Sequence, residues 1–229
     1  MDVWRSALLI NDECRTGRFW LDNPYRIHQR LLMAFEDGIA GRLMWRPEAQ
    51  AVRIRTIEFA AGARRISTRE GERTVLIVQA EHRANWARGF EGLPILIRAA
   101  QEQVKLVAAE GDVLSYRLRA APMKCRPTQP GQRSRRMWLN HPEEWSAWLE
   151  RKADMHGFQL ETTCIGPSET IAAVRSKEER PQMLLAVEFS GRLRVTDAER
   201  FAQAAARGIG PGKAYGCGLL LPKRMEQEG

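Results

Sequence analysis

Residues 184–221 read LLAVEFSGRLRVTDAERFAQAAARGIGPGKAYGCGLLL. Leu184 to Val195 has strand character, and Thr196-Asp197-Ala198-Glu199 is a capping box, in which a hydroxyl and a carboxylate satisfy free amides at a helix start. The pattern predicts a helix from there to about Arg207, a glycine-rich connection, and a last strand from Ala214 to Leu221. Working back toward the amino terminus, Phe158 to Ile165 reads as a strand. Before it, Pro142 with Glu143 and Glu144 opens a helix whose apolar stripe is Trp145, Trp148, Leu149 and Ala153, closed by Gly157. Leu114 to Ala121 is a further strand, and Pro122 to Gln132, with three prolines and a glycine, is expected to be loop. The order over this half is β-α-β-β-α-β.

That order is the ferredoxin-like unit, a topology that RNA-recognition domains also use. The first half begins in the same way. Val3 to Ile10 reads as a strand, and Asn23-Pro24 supplies an N-cap followed by proline at the first helical position. The helix is expected to reach about Glu36, with Ile27, Leu31, Ala34 and Phe35 as its apolar stripe and Gly38 as its end. Arg42 to Arg46 and Thr74 to Gln79 read as short strands, and Arg53 to Gly71 between them as an extended hairpin or a mobile insertion. The expected fold class is therefore α+β, a tandem of ferredoxin-like βαββαβ domains spanning 1–100 and 101–229.

With 229 residues and 44% hydrophobic content the chain can fill a real core. No apolar run approaches membrane-spanning length and the start lacks a signal-peptide pattern, so a cytoplasmic protein with no membrane partner is expected. The cysteines at 14, 125, 164 and 217 and the histidines at 28, 82, 141 and 156 are scattered, which predicts neither a structural zinc site nor a disulfide framework. A net charge of +8 points to a polyanionic partner. The charge is clustered: Val113 to Pro142 holds no acidic residue, while Arg117, Arg119, Lys124, Arg126, Arg133, Arg135 and Arg136 lie within it.

Gly208, Gly210, Gly212, Gly216 and Gly218 surround Lys213. Their spacing fits neither G-x-x-x-x-G-K-[ST] nor G-x-G-x-x-G, and the order helix, loop, strand is the reverse of what those phosphate loops need. No nucleotide cofactor, and no other cofactor, is expected. A tight structural connection and a close approach to an RNA backbone are equally consistent with this density of glycine.

Four segments together resemble the CasE-type CRISPR repeat endoribonucleases. Asn23-Pro24-Tyr25-Arg26-Ile27-His28 is similar to the motif that opens that family's first helix. Tyr116 to Lys124 resembles its R-L-R-A-N-P-x-K strand end, with Ala121 where the family usually has Asn. Trp148 to Ala153 with Gly157-Phe158 resembles its A-W-L-E-R-K helix, and Gly208 to Leu220 its carboxy-terminal signature. The segments occur in the family's order and span most of the chain, although Arg53 to Gly71 is longer than the usual connection.

The resemblance implies a tandem ferredoxin-like protein that binds the repeat hairpin in precursor crRNA, cuts at its 3′ base without metal, and stays on the crRNA with other Cascade subunits. It implies attack by a ribose 2′-OH, leaving a 2′,3′-cyclic phosphate and a 5′-OH. The family places its catalytic pair at the positions of Tyr25 and His28. Independently, His28 suits proton transfer near neutral pH, and it sits in the first turns of a helix, whose dipole favours an anion and the neutral imidazole. Tyr25 is three residues earlier on the same helical face. The other histidines are expected to be surface or capping residues, Cys217 packing filler, and Trp145 and Trp148 core rather than base-stacking residues. Candidate RNA contacts are Arg117, Arg119, Lys124, Arg126, Arg133, Arg135, Arg136, Gly210, Gly212 and Lys213. The alternative is a non-catalytic RNA-binding scaffold subunit of a CRISPR effector complex, which has no need for His28.

Overall fold

The structure is a computed structural model that describes residues 1–60, 63–126, 135–174 and 181–225, without the side chains of 52–70, 126, 135, 136 and 173. Its elements are β1 (Asp2–Ile10), α1 (Arg15–Leu21), α2 (Pro24–Leu32), β2 (Met44–Ala60), β3 (Ala63–Ala80), α3 (Trp86–Gly89), β4 (Leu96–Lys105), β5 (Val113–Ala120), β6 (Met123–Arg126), β7 (Arg135–Trp138), α4 (Pro142–Met155), β8 (Phe158–Ala173), β9 (Gln182–Val195), α5 (Ala198–Arg207) and β10 (Leu220–Arg224).

Two four-stranded antiparallel sheets, ordered β2-β3-β1-β4 and β10-β5-β9-β8, repeat one topology. In each, the first and third strands of a βαββαβ unit lie at the centre, so the fold is a tandem of ferredoxin-like units. β4 crosses the expected division near residue 100 and pairs with β1; the chain changes sheet between Lys105 and Val113. Each sheet carries its own core, one around Leu8, Ile10, Ile27, Leu31, Leu76 and Trp86, the other around Leu118, Trp148, Leu149, Phe158, Phe189 and Phe201.

Several boundaries differ from expectation for local reasons. α1 is not anticipated from sequence, because its N-cap is Cys14, whose thiol accepts weakly from the Gly17 amide. α2 stops at Leu32, and the apolar stripe continues through turns in which Ala34 and Phe35 donate to Leu31 and Leu32. The paired strands β2 and β3 make 53–71 an extended hairpin in backbone terms, with residues 61 and 62 outside those described. Met123 to Arg126 is strand rather than loop, forming a small ribbon with β7. The cap of α5 is Asp197, which accepts from the Arg200 amide, rather than Thr196. β10 begins at Leu220 rather than Ala214, because Gly216 and Gly218 take φ of 79° and 92°, incompatible with a strand.

Candidate functional site

The site is built where α2 meets the glycine-rich segment. Asn23 anchors the start of α2 twice: its side-chain oxygen accepts from the Tyr25 amide at 3.1 Å, and its side-chain amide donates to the Val174 carbonyl at 2.9 Å. The second contact fixes the helix of the first unit to the end of β8 in the second.

His28 is half-buried, and its Nδ1 is buried with no hydrogen-bond partner among the described residues. Burial pushes its pKa below the ordinary 6.5, so the imidazole is neutral at pH 7 and able to accept a proton. It lines an open cleft of about 530 Å³ with Leu32, Gly41, Arg42, Leu43, Glu81, Lys213 and Ala214. Tyr25 does not line this cleft. Its ring lies 6.3 Å from that of Tyr215, tilted by 47°, against a small core of Ala121, Ile171, Leu184, Ala186 and Cys217.

Lys213 stands between Gly212 and Gly216, both in left-handed conformation, and its Nζ donates to the Gly210 carbonyl at 3.0 Å. Burial, then the neighbouring charges of Arg42 and Lys152, hold its pKa below 10.5. Packing accounts for the glycines around it. A Cβ on Gly210 would stand 2.9 Å from the Trp148 ring, and one on Gly208 2.2 Å from the Met44 sulfur. Gly212, at φ 84°, faces Leu184 and Cys217.

The remaining candidates are dispersed. Arg117 is exposed but sits 3.1 Å from Glu48. Arg119 is buried, 3.0 Å from Glu169 and 3.7 Å from Glu188. Lys124 pairs with Glu144 at 2.7 Å. Arg133 and the side chains of Arg126, Arg135 and Arg136 lie outside the described residues. Cys217 is fully buried, its thiol pushed up to about 12, as suits packing filler. His156 is the C-cap residue of α4, His141 its N-cap without a side-chain bond, and His82 is exposed. Trp145 and Trp148 are buried, the former donating to the Leu139 carbonyl at 2.6 Å.

Sequence reasoning does not single out Arg42, which shares the cleft, or Lys152, which lies close enough to lower the Lys213 pKa. Only the i,i+4 spacing of Trp148 and Lys152 on one helix face carries a hint. Among the described residues no three His, Cys, Asp or Glu side chains gather as a metal-binding group, and no helix is long and apolar enough to cross a membrane.

Comparison with known proteins concerns the chain as a whole. A family described as CRISPR associated protein matches residues 3–224. The CRISPR-associated endoribonuclease Cse3 of Thermus thermophilus is 34% identical, the alignment covering 95% of this chain and 98% of the relative. The CRISPR system Cascade subunit CasE of Escherichia coli is 30% identical over 57% of this chain and 74% of its own. The structure of Thermus thermophilus Cse3 bound to an RNA representing a pre-cleavage complex superposes with a TM-score of 0.75 at 30% identity, covering 97% of this chain and 99% of that one. The chain belongs to the CRISPR-associated protein family, as a member of its CasE (Cse3) type.

Proposed function

We propose that this protein is a cytoplasmic endoribonuclease that binds the repeat hairpin of precursor crRNA, cuts at the 3′ base of the stem, and stays on the product within a Cascade assembly. The observation that carries this is a neutral, half-buried His28 in a cleft shared with two cations, in a chain that aligns almost end to end with an endoribonuclease. In the reaction the 2′ oxygen beside the scissile phosphate attacks phosphorus and gives up its proton, the bond to the 5′ oxygen breaks, and that oxygen leaves as a 5′-OH. His28 takes the 2′ proton and then releases it to solvent, and a proton from solvent completes the departing 5′-OH. Tyr25 positions the helix end against Tyr215 and is the second candidate for ordering ribose or phosphate. Lys124 and Lys213 are proposed phosphate contacts, with Arg126, Arg133, Arg135 and Arg136 as stem contacts in and beside the β6–β7 ribbon. Arg119 is assigned to the protein interior instead.

The test is incubation of purified protein with its own host's repeat RNA in EDTA, with and without a single deoxy substitution at the attacking ribose. Cutting should survive EDTA, leave a cyclic phosphate, and vanish with the deoxy RNA, whose affinity should barely change. A 3′-OH product, or cutting of the deoxy RNA, would mean an activated water and would overturn the mechanism.

A further inference from the structure

The cations beside the cleft continue past it. Arg42 and Lys213 line the same cleft as His28. The glycine-rich segment that carries Lys213 is pressed onto α4, because Gly210 lies against the Trp148 ring. Lys152 is one turn beyond Trp148 on the same helix face, and His156 one turn beyond that. The side chains sense one another: Lys213 is affected by Arg42 and Lys152, and His156 by Lys152 and Lys213. A row of positive charge therefore runs from the His28 cleft along the end of α4.

Among the described residues, Arg42, Lys152 and Lys213 take part in no ion pair, although Glu81 also lines the cleft. Clustered like charges repel and lower stability, and an excess of positive over negative charge at a cleft favours an incoming counter-ion.

We propose that Arg42, Lys213 and Lys152 form a continuous phosphate track that receives the RNA strand where it leaves the scissile position. The track rests on the reading of the protein as an RNA-cutting enzyme, and it adds Arg42 and Lys152 to the binding surface. It takes backbone phosphates, so it holds the strand irrespective of its sequence and sets the register of the scissile phosphate against His28.

The experiment measures repeat-RNA affinity against salt for the wild type, the double variant Arg42→Gln/Lys152→Gln, and Arg151→Gln, which removes an exposed charge from a neighbouring face of α4. Lys213 is left intact because its bond to Gly210 holds the loop. The double variant should bind several-fold more weakly, with the slope of log affinity on log salt reduced by about 0.9 for each duplex phosphate that is no longer neutralised, or about 0.7 for each single-stranded one. Arg151→Gln should match the wild type. An unchanged slope in the double variant, or an equal loss in Arg151→Gln, overturns the track. Wild-type protein that binds but does not cut would refute the catalytic reading while the slopes still decide the track. Wild-type protein that does not bind at all would overturn both. A melting temperature no lower than wild type confirms that the double variant is folded.

Discussion

Arg42 and Arg46 are four residues apart in the chain and have opposite surroundings. Arg46 is buried between the sheets, 3.2 Å from Glu48 and 2.9 Å from Glu188. Arg117 closes on Glu48, and Arg119 on Glu188 and Glu169, so three arginines and three glutamates join β2 of the first unit to β5, β8 and β9 of the second. Arg42 opens instead onto the His28 cleft with Lys213 and no carboxylate partner among the described residues. Cations of one composition thus divide into those already neutralised, which fix how the units meet, and those left unneutralised, which have charge to offer RNA. Net charge counts both alike.

The largest effect expected is at the open end of this contrast. His28→Ala should lower the single-turnover cutting rate by roughly a hundred- to ten-thousand-fold, the range supplied by a general acid-base group, while leaving affinity nearly intact. A wild-type rate would reduce His28 to a surface residue. The same side chain predicts the pH profile. Burial lowers its pKa below 6.5, so its base form persists above the lowered value and is lost as pH falls through it. The acid limb of kcat/KM should then have its midpoint below 6.5 and disappear in His28→Ala. Stability follows the same sign: the unfolded chain binds the proton first, so folding weakens as pH drops from 6.5 toward the lowered value.

At the neutralised end, Arg46→Met should cost about 3–5 kcal/mol in chemical denaturation, because it leaves buried carboxylate charge without its partner. The Glu48 side chain is only 5% exposed, which puts that charge well away from water. Affinity of the folded fraction for RNA should not change. If Arg46→Met weakened RNA binding without loss of stability, the division between structural and binding cations would be wrong.

This division is not legible in the sequence, whereas much of the topology is. The second unit announces itself through a capping region, an apolar helix stripe and glycine punctuation, all local signals. In the first unit, α3 is a single turn held by Trp86 donating to Ser6, and β4 has an exposed surface without apolar alternation. Neither leaves a periodic trace. Tyr25 and His28 stand out through resemblance and helix position, and the structure sets His28 in the cleft and Tyr25 beside Tyr215. Arg119 looks like part of a basic patch because its partners are remote in sequence: Glu188 is its cross-strand neighbour on β9, and Glu169 lies on β8. Sheet register decides which arginines meet a carboxylate, and a charge count over a window does not contain register.

The smallest effect tests a cation that belongs to neither group. Lys124, on β6, is exposed and paired with Glu144 at 2.7 Å, and Glu144 also accepts from the Asn140 amide at 3.3 Å. Water screens such a pair, so it contributes little to folding, but the carboxylate still competes with a phosphate for the lysine. Glu144→Gln keeps an oxygen for the Asn140 amide and removes the competing charge. Thermal stability should stay near wild type, while the salt dependence of RNA binding should steepen by up to about one unit as Lys124 becomes free for a phosphate. A steeper slope would show that neutralisation alone, and not position, keeps a cation out of the binding surface. An unchanged slope would place Lys124 off the RNA path, so that position as well as neutralisation decides which cations bind.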